Sequence, residues 1–311
     1  MTTAAHGATR PDATGPRAPR ATRKIWIDGA FVDQSEAKVS VFDHGFLYGD
    51  GCFEGIRAYG GRIFKLRSHL QRLFDSAEKI HLKSRYSIDE VERAVRETVA
   101  INDLDDAYIR LVLSRGVGTL GLHPFKCPVP GTIVIADSIE LYPPELYETG
   151  LKVIVADRPR IPIKCLDPAI KSLNYLNNIL AKVEAIEAGV LEAIMLNLDG
   201  FVAECTGDNL FVVKDGTVIT PAAEAGMLHG ITRKFVIDTV APACGHAVKE
   251  RMMRLEEVLD ADEVFLTGTA AEIIGVTHVG DAVIGNGTVG PVTRELTAEF
   301  RSRIGRNAPE D

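Results

Sequence analysis

The stretch Asp199-Gly200-Phe-Val-Ala-Glu204-Cys-Thr-Gly-Asp-Asn209-Leu-Phe-Val-Val-Lys-Asp215-Gly216 reads as β-rich runs punctuated by two Asp-Gly turns. Asp-Gly supplies the left-handed backbone that a tight hairpin connection requires. A third such turn, Asp28-Gly29, separates Lys24-Ile-Trp-Ile from Ala30-Phe-Val. Three hairpins imply antiparallel pairing, whereas a doubly wound parallel sheet would alternate strand with helix. The fold class expected is therefore α+β with antiparallel or mixed sheets.

Outward from these turns, Leu70, Leu73, Phe74, Ala77 and Ile80 recur at helical spacing after Ser68. Ser87 and Glu90 make a capping-box pattern ahead of a second helix carrying Val91, Ala94, Val95 and Thr98. Strands are expected at Ala107–Ser114, Thr132–Ala136, Lys152–Ala156 and Glu263–Leu266, with helices from about Tyr175 to Ala188 and starting near Thr232 and Leu255. The Pro-broken segment Ile139-Glu-Leu-Tyr-Pro143-Pro144-Glu marks an interdomain loop over 139–147. It divides a small N-terminal α+β domain, 24–138, from a larger C-terminal domain, 148–305. Residues 1–22, rich in Ala, Thr, Pro and Arg, read as a disordered tail.

Composition bounds the function. The 311 residues are 46% hydrophobic and 25% charged, and carry 35 Lys and Arg against 43 Asp and Glu, a formal net charge of −8. That sign argues against nucleic-acid binding, which needs a basic surface to neutralise phosphates. No apolar run approaches the roughly 20 residues of a membrane span. Five scattered cysteines without a C-x-x-C pair, and eight histidines without ligand spacing, argue against a disulfide framework or a metal site and for a reducing cytoplasm. Gly116-Val-Gly118-Thr-Leu-Gly121 fits a dinucleotide fingerprint, but His123-Pro124-Phe-Lys-Cys-Pro128 follows where that fingerprint needs a helix.

Three groups of residues could carry chemistry. Lys171, in Pro168-Ala-Ile-Lys171-Ser-Leu-Asn-Tyr175, stands at a strand-to-helix junction, where a lysine partly withdrawn from water can form a Schiff base with a carbonyl. Glu204 falls at a bend between two β-rich runs, a costly place for a carboxylate without a partner; a pyridinium nitrogen would suit it. Gly230-Ile231-Thr232-Arg233 opens a helical pattern and Thr267-Gly-Thr269-Ala270-Ala follows a strand, so both offer backbone amides to an anion. Arg72 could add a bidentate charge. Taken singly, each also reads as an ordinary surface lysine, hairpin edge, cap or solvated arginine.

Together these segments resemble the fold-type IV, or class IV, pyridoxal-phosphate aminotransferases, and more narrowly the branched-chain amino acid aminotransferases. The resemblance covers residues 24–304. It rests on Val41-Phe-Asp-His-Gly-Phe-Leu-Tyr48-Gly-Asp-Gly-Cys-Phe53-Glu-Gly55-Ile-Arg57-Ala-Tyr59, His69-Leu-Gln-Arg72-Leu, Ala107-Tyr108-Ile-Arg110 and Lys171-Ser-Leu-Asn-Tyr175-Leu-Asn. Ala203-Glu204-Cys-Thr-Gly-Asp-Asn209-Leu-Phe, Gly230-Ile-Thr-Arg233 and Thr267-Gly-Thr-Ala-Ala-Glu272 complete it.

The resemblance implies a two-domain protein with pyridoxal 5'-phosphate in a cleft at the domain interface. It makes Lys171 the Schiff-base lysine and proton shuttle, pairs Glu204 with the pyridine nitrogen, and gives Tyr175 the cofactor phenolate. Arg72, Ile231, Thr232 and Thr269 would hold the phosphate. Tyr108 and the Thr269-Ala270 turn would bind the substrate α-carboxylate, Phe53 and Gly55 would line an apolar side-chain pocket, and Arg110 with Tyr48 would receive the side-chain carboxylate of glutamate. The implied reaction is reversible, ping-pong transfer of the amino group of leucine, isoleucine or valine to 2-oxoglutarate. The enzyme would be at least a homodimer, with parts of each site coming from the neighbour. Within the family the alternatives are a D-amino acid or (R)-amine aminotransferase and an aminodeoxychorismate lyase. Outside it stand a lyase or aldolase using Lys171 alone and a catalytically dead scaffold. Cys205 departs from the family pattern, in which a small Gly or Ala follows the glutamate.

Overall fold

The computed structural model describes residues 22–139 and 142–305. The tail expected over 1–22 lies outside them except for Thr22, as does part of the 139–147 loop. Among the described residues the strands form a six-stranded and a nine-stranded sheet, and no helix is long and apolar enough to cross a membrane.

The first sheet contains β1 (Lys24–Ile27), β2 (Ala30–Asp33), β3 (Gly51–Tyr59), β4 (Arg62–Ile63), β5 (Ala107–Ser114) and β6 (Gly131–Asp137) in the order β2-β1-β6-β5-β3-β4. Every pairing is antiparallel. Asp28 and Gly29 both adopt positive φ, 49° and 99°, as the first Asp-Gly turn requires. One face of the sheet packs on helices Leu66–Lys79 and Ile88–Ile101, burying Leu70, Leu73, Val91 and Val95 against Ile56, Ile109 and Leu111. The capping box at Ser87 forms as expected. The earlier helix starts at Leu66, ahead of Ser68, with Lys65 in left-handed backbone at its N-cap and no side-chain cap.

The second sheet runs β12-β11-β10-β13-β14-β7-β8-β9 and is mixed. Its strands are β7 (Leu151–Val155), β8 (Glu192–Leu196), β9 (Val202–Cys205), β10 (Asn209–Lys214), β11 (Thr217–Thr220), β12 (Val248–Glu250), β13 (Glu263–Gly268) and β14 (Glu272–Val279), with β15 (Ala282–Val283) paired to β14. The Asp199-Gly200 loop joins antiparallel β8 and β9, and Asp215-Gly216 joins β10 and β11. Alternate residues of β10 and β13 serve two cores. Leu210, Val212, Val264 and Leu266 face one; Phe211, Val213 and Phe265 face another, shared with Phe235 and with Leu296 and Phe300 of the C-terminal helix.

That helix, Pro291–Ile304, has Gly at its N-cap and no local side-chain cap. Glu263 of β13 supplies the acceptors instead, taking the Val292 amide at 3.0 Å and the Thr293 amide at 2.7 Å. The carboxylate thus satisfies two of the four amides a helix start leaves open and complements its dipole.

Leu73 is fully buried between helix Leu66–Lys79 and the first sheet. We expect Leu73→Ala to lower unfolding stability by about 2–5 kcal/mol, measured by urea denaturation of the loaded protein.

Candidate active site

The chain reaches Lys171 by pairing with a stretch of strand edge that no other strand covers. β4 covers only the far end of β3, which leaves the edge at Gly51–Phe53 open. Segment 171–173 fills it: the Phe53 amide donates to the Lys171 carbonyl at 3.0 Å and the Leu173 amide to the Gly51 carbonyl at 2.9 Å. The Lys171 side chain then crosses the Phe53 ring, with Nζ 4.7 Å from the ring centroid, and donates to the Tyr175 hydroxyl at 3.1 Å. Tyr175 stands at the start of helix Leu176–Glu187, its ring edge-on to Phe53 at 4.9 Å.

Glu204 lies on β9, almost without solvent exposure. Its Oε1 accepts from Arg160 Nε at 2.7 Å, and its Oε2 accepts from the Leu228 amide at 3.0 Å and Asn209 Nδ2 at 3.3 Å. Burial pushes its carboxyl above the usual carboxylate range; Arg160, the Leu228 amide and Lys171 pull the other way without cancelling it. A carboxylate of this kind gains from a further cationic N–H partner. Arg160 and Asn209 were not singled out from sequence. Asn209 sits in the motif around Glu204, whereas Arg160 has no local pattern to mark it.

Arg72 is set by Glu54, which points from β3 into the helix. Glu54 accepts from Arg72 Nε and Nη2 at 2.7 and 2.8 Å, and lies 2.7 Å from His69 Nδ1. Burial raises the Glu54 carboxyl, but Arg72 and His69 outweigh it and hold it at about 2. Burial likewise keeps His69 below the ordinary histidine range, so it serves as a neutral donor. Arg72 Nη1 donates to the His229 carbonyl at 2.8 Å. This places the guanidinium beside the loop leading to Gly230 and helix Ile231–Phe235, and leaves two of its five N–H groups for an anion. Thr232 is buried at that helix start. Arg233 turns away to the Pro221 carbonyl and Glu250.

A cavity of about 600 Å³ joins the two sheets. Among the expected residues it is lined by Phe53, Gly55, Tyr108, Arg110, Lys171, Tyr175, Thr269 and Ala270. The Arg110 guanidinium stacks 4.3 Å from the Phe53 ring centroid. Gly55 is required there, because a Cβ would stand 2.1 Å from the Tyr108 hydroxyl oxygen. Arg57, unforeseen, reaches from β3 to the Ala270 carbonyl at 3.5 Å and to Glu272 at 4.0 Å, tying the Thr269-Ala270 turn to the first sheet. Tyr142, Asn178, Lys182, Glu192 and Asp208 also line the cavity.

Tyr48 is placed elsewhere. It ends the short helix His44–Tyr48, where its hydroxyl accepts from the Gly121 amide at 2.9 Å and its ring meets His44 edge-on, so it does not line this cavity. Cys205 points into the core with Leu210 and Val212, its thiol raised well above the ordinary range by burial and three nearby carboxylates; it is a packing residue rather than a nucleophile. A larger surface groove of about 1030 Å³ between helix Leu66–Lys79 and the 124–130 loop holds none of the candidate residues.

Pyridoxal phosphate fits this set of groups. Its aldehyde needs an amine beside a hydroxyl, its ring nitrogen a buried acid, and its phosphate an arginine with open amides. Lys171 with Tyr175, Glu204, and Arg72 beside the Gly230–Thr232 turn supply them.

The amino-transferase class IV family matches residues 51–279. A protein of Methanocaldococcus jannaschii, named provisionally as a branched-chain-amino-acid aminotransferase, is 49% identical over 278 residues, covering 89% of this chain and 95% of its own. The branched-chain-amino-acid aminotransferase of Pseudomonas aeruginosa is 40% identical over 282 residues, 89% and 91% of the two chains. The crystal structure of the Escherichia coli branched-chain amino acid aminotransferase superposes with a TM-score of 0.90 at 35% identity, over 94% of this chain and 97% of that one. The branched-chain amino acid aminotransferase of Thermobaculum terrenum, in its PLP-bound holo form, superposes at 0.83 and 31% identity, over 91% and 94%. With a match across most of its length and relatives this similar, the chain belongs to the class IV amino-transferase family.

Proposed function

We propose that this aminotransferase transfers amino groups between the branched-chain L-amino acids leucine, isoleucine and valine and the pair 2-oxoglutarate and L-glutamate, in one cavity that takes both kinds of side chain. The observation that carries this reading is Arg110. It stands on an aromatic wall, stacked on Phe53, and among the described residues no carboxylate is seen to pair with it. An apolar wall takes a leucine side chain by releasing water, yet a bare carboxylate against that wall would cost several kcal/mol. An arginine over the wall pairs with the carboxylate when one is present and otherwise covers Phe53.

Pyridoxal phosphate, when bound, would supply the aldehyde that takes up the amino group and the electron-poor ring that takes up the electron pair left at the substrate Cα. The rest is the work of this chain's side chains. Lys171 Nζ would take the proton from the substrate Cα and deliver it to the carbon that was the cofactor's aldehyde, and would make the reverse transfer when the oxo acid is the substrate. Tyr175 holds that amine by its hydroxyl, and Glu204 keeps a proton on the ring nitrogen. Arg72, Ile231, Thr232 and Thr269 hold the phosphate. Tyr108 and the Thr269-Ala270 turn hold the α-carboxylate, and Phe53 and Gly55 the branched side chain.

We further read the two sheets, with their helices, as the domains 24–138 and 148–305, and the chain as a cytoplasmic homo-oligomer. Phe46, Leu120, Leu122 and Phe125 are exposed by 71%, 72%, 81% and 72%, and the first two belong to the segments around Tyr48 and its partner Gly121. Apolar exposure on this scale suits contact with a second copy, and that contact is the route by which Tyr48 would reach a neighbour's cavity.

Lys171→Ala is expected to abolish turnover while the protein still binds the cofactor, and borohydride should trap cofactor on the native peptide containing Lys171 but not on the variant; mass spectrometry reads both. Arg110→Ala should raise KM for glutamate about 10- to 100-fold, the worth of one charged hydrogen-bond pair, and KM for leucine by about threefold or less. Equal effects on both substrates would refute the shared cavity. Separate half-reactions with L-leucine, D-alanine and an (R)-amine, followed by cofactor absorbance, test the branched-chain assignment against its relatives; faster conversion by either of the last two would overturn it.

A further inference from the structure

The cavity that Thr269 and Ala270 line also carries two carboxyl groups that the reaction as described does not use. Glu192, on β8, is 1% exposed and Asp208, between β9 and β10, is 6% exposed; both line the cavity. Their surroundings differ. Glu192 Oε1 accepts from the Ala193 amide at 2.8 Å, the Thr206 amide at 2.9 Å and the Thr206 hydroxyl at 2.5 Å, and its Oε2 lies 3.5 Å from Lys182 Nζ. Glu192 is thus surrounded by donors. Asp208 receives one donor, the Tyr142 hydroxyl at 3.0 Å on Oδ2. Its Oδ1 presses against Gly268, where an added Cβ would stand only 1.9 Å away.

We propose that Asp208 is a positioning residue for substrate binding: buried in the same cavity wall as Glu192 but met by a single donor, it keeps the wall beside the α-carboxylate turn from carrying a second negative charge while the anionic substrate docks. This rests on the assignment of the α-carboxylate to Tyr108 and the Thr269-Ala270 turn. Two buried like charges at one wall oppose each other and oppose a third arriving with the substrate, and Lys182, the nearby cation, is already shared with Glu192 and the Leu191 carbonyl. Facing Asp208 are Tyr142 and Tyr147 from the segment before β7, Lys182 from helix Leu176–Glu187, Glu192 from β8, and Glu204 with Cys205 from β9. Burial first, and Glu192 second, push the Asp208 carboxyl up to about 7, while the Tyr142 hydroxyl and Lys182 draw it down. The proton is therefore held below neutrality and lost above it, and substrate carboxylate affinity falls as pH rises through that point.

The test measures dissociation constants of 4-methylpentanoate and its uncharged amide for the holoenzyme between pH 5.5 and 9. Cofactor absorbance is recorded alongside, so that protonation changes at the cofactor itself are followed separately. We expect affinity for the carboxylate to fall roughly tenfold across the range, the effect of one nearby charge in a partly screened site, with its midpoint near 7 and the amide unaffected. Asp208→Asn, which keeps the shape and an acceptor for Tyr142 but cannot ionise, should hold the low-pH affinity throughout. Tyr142→Phe removes a donor that favours the charged carboxylate and should move the midpoint to higher pH, a shift that a merely structural tyrosine would not cause. An undiminished fall in Asp208→Asn, or an unmoved midpoint in Tyr142→Phe, would overturn the proposal and leave the carboxylate site standing. Equal binding of acid and amide at pH 6 would remove that site, and the proposal with it. Should Asp208→Asn fail to load the cofactor, the Tyr142→Phe profile decides alone.

Discussion

Everything at this site depends on three residues of chain laid along an open strand edge. Because β4 pairs only with Ala58 and Tyr59 of β3, the backbone groups of Gly51–Phe53 need other partners, and leaving them unpaired in the interior would cost free energy. Segment 171–173 satisfies them. The same two hydrogen bonds that complete the first sheet therefore fix where Lys171 leaves the backbone, and the ring of Phe53 beneath it fixes the direction of its side chain. A reactive amine must be held to within a fraction of an ångström to be useful, and a strand-like anchor does this better than a loop.

The buried charges around that amine are paired by groups of the chain itself. Glu54 is tied to Arg72 and His69, and Glu204 to Arg160 and two further N–H groups. Neither pair is chiefly a source of stability, since the cost of desolvating two ions offsets much of their attraction; losing one partner, however, strands the other at about 3–5 kcal/mol. What the pairs provide is orientation. Glu54 fixes the Arg72 fork so that Nη1 reaches the His229 carbonyl, and Arg160, Asn209 and the Leu228 amide together fix the Glu204 carboxylate. The two carboxyls are driven apart, one held low by its arginine and its histidine, the other left high by burial.

Local chemistry was legible in the sequence, and long-range pairing was not. Asp28-Gly29, Asp199-Gly200, Asp215-Gly216 and the Ser87–Glu90 box act within a few residues, so their types and spacings carry the information, and each turn or cap forms. The start of helix Leu66–Lys79 was misplaced because no side chain caps it; left-handed Lys65 and packing against β3 set its first turn. The C-terminal helix went unread because its cap is Glu263, some thirty residues upstream. Arg160, Arg57 and Tyr142 were missed for the same reason: each acts across the fold, on Glu204, Ala270 and Asp208. Lys171, Glu204 and Arg72 became legible only jointly, through ordered motifs, since each alone is an ordinary surface side chain.

The alternation of β3 explains how one strand can serve both support and recognition. Phe53, Gly55 and Arg57 point to the cavity side, while Glu54 and Ile56 point to helix Leu66–Lys79 and its core. Antiparallel register sets Gly55 against Arg110 and Arg57 against Tyr108, so the small residue that admits the Tyr108 hydroxyl and the cation that lies on Phe53 face each other across one pair of strands. A slip of one residue would turn Glu54 into the cavity and Phe53 into the helix core, exchanging an apolar wall for a carboxylate. The hydrophobic burial of Leu70, Leu73 and Ile109 on the far face forbids that slip, and thereby specifies the chemistry of the near one.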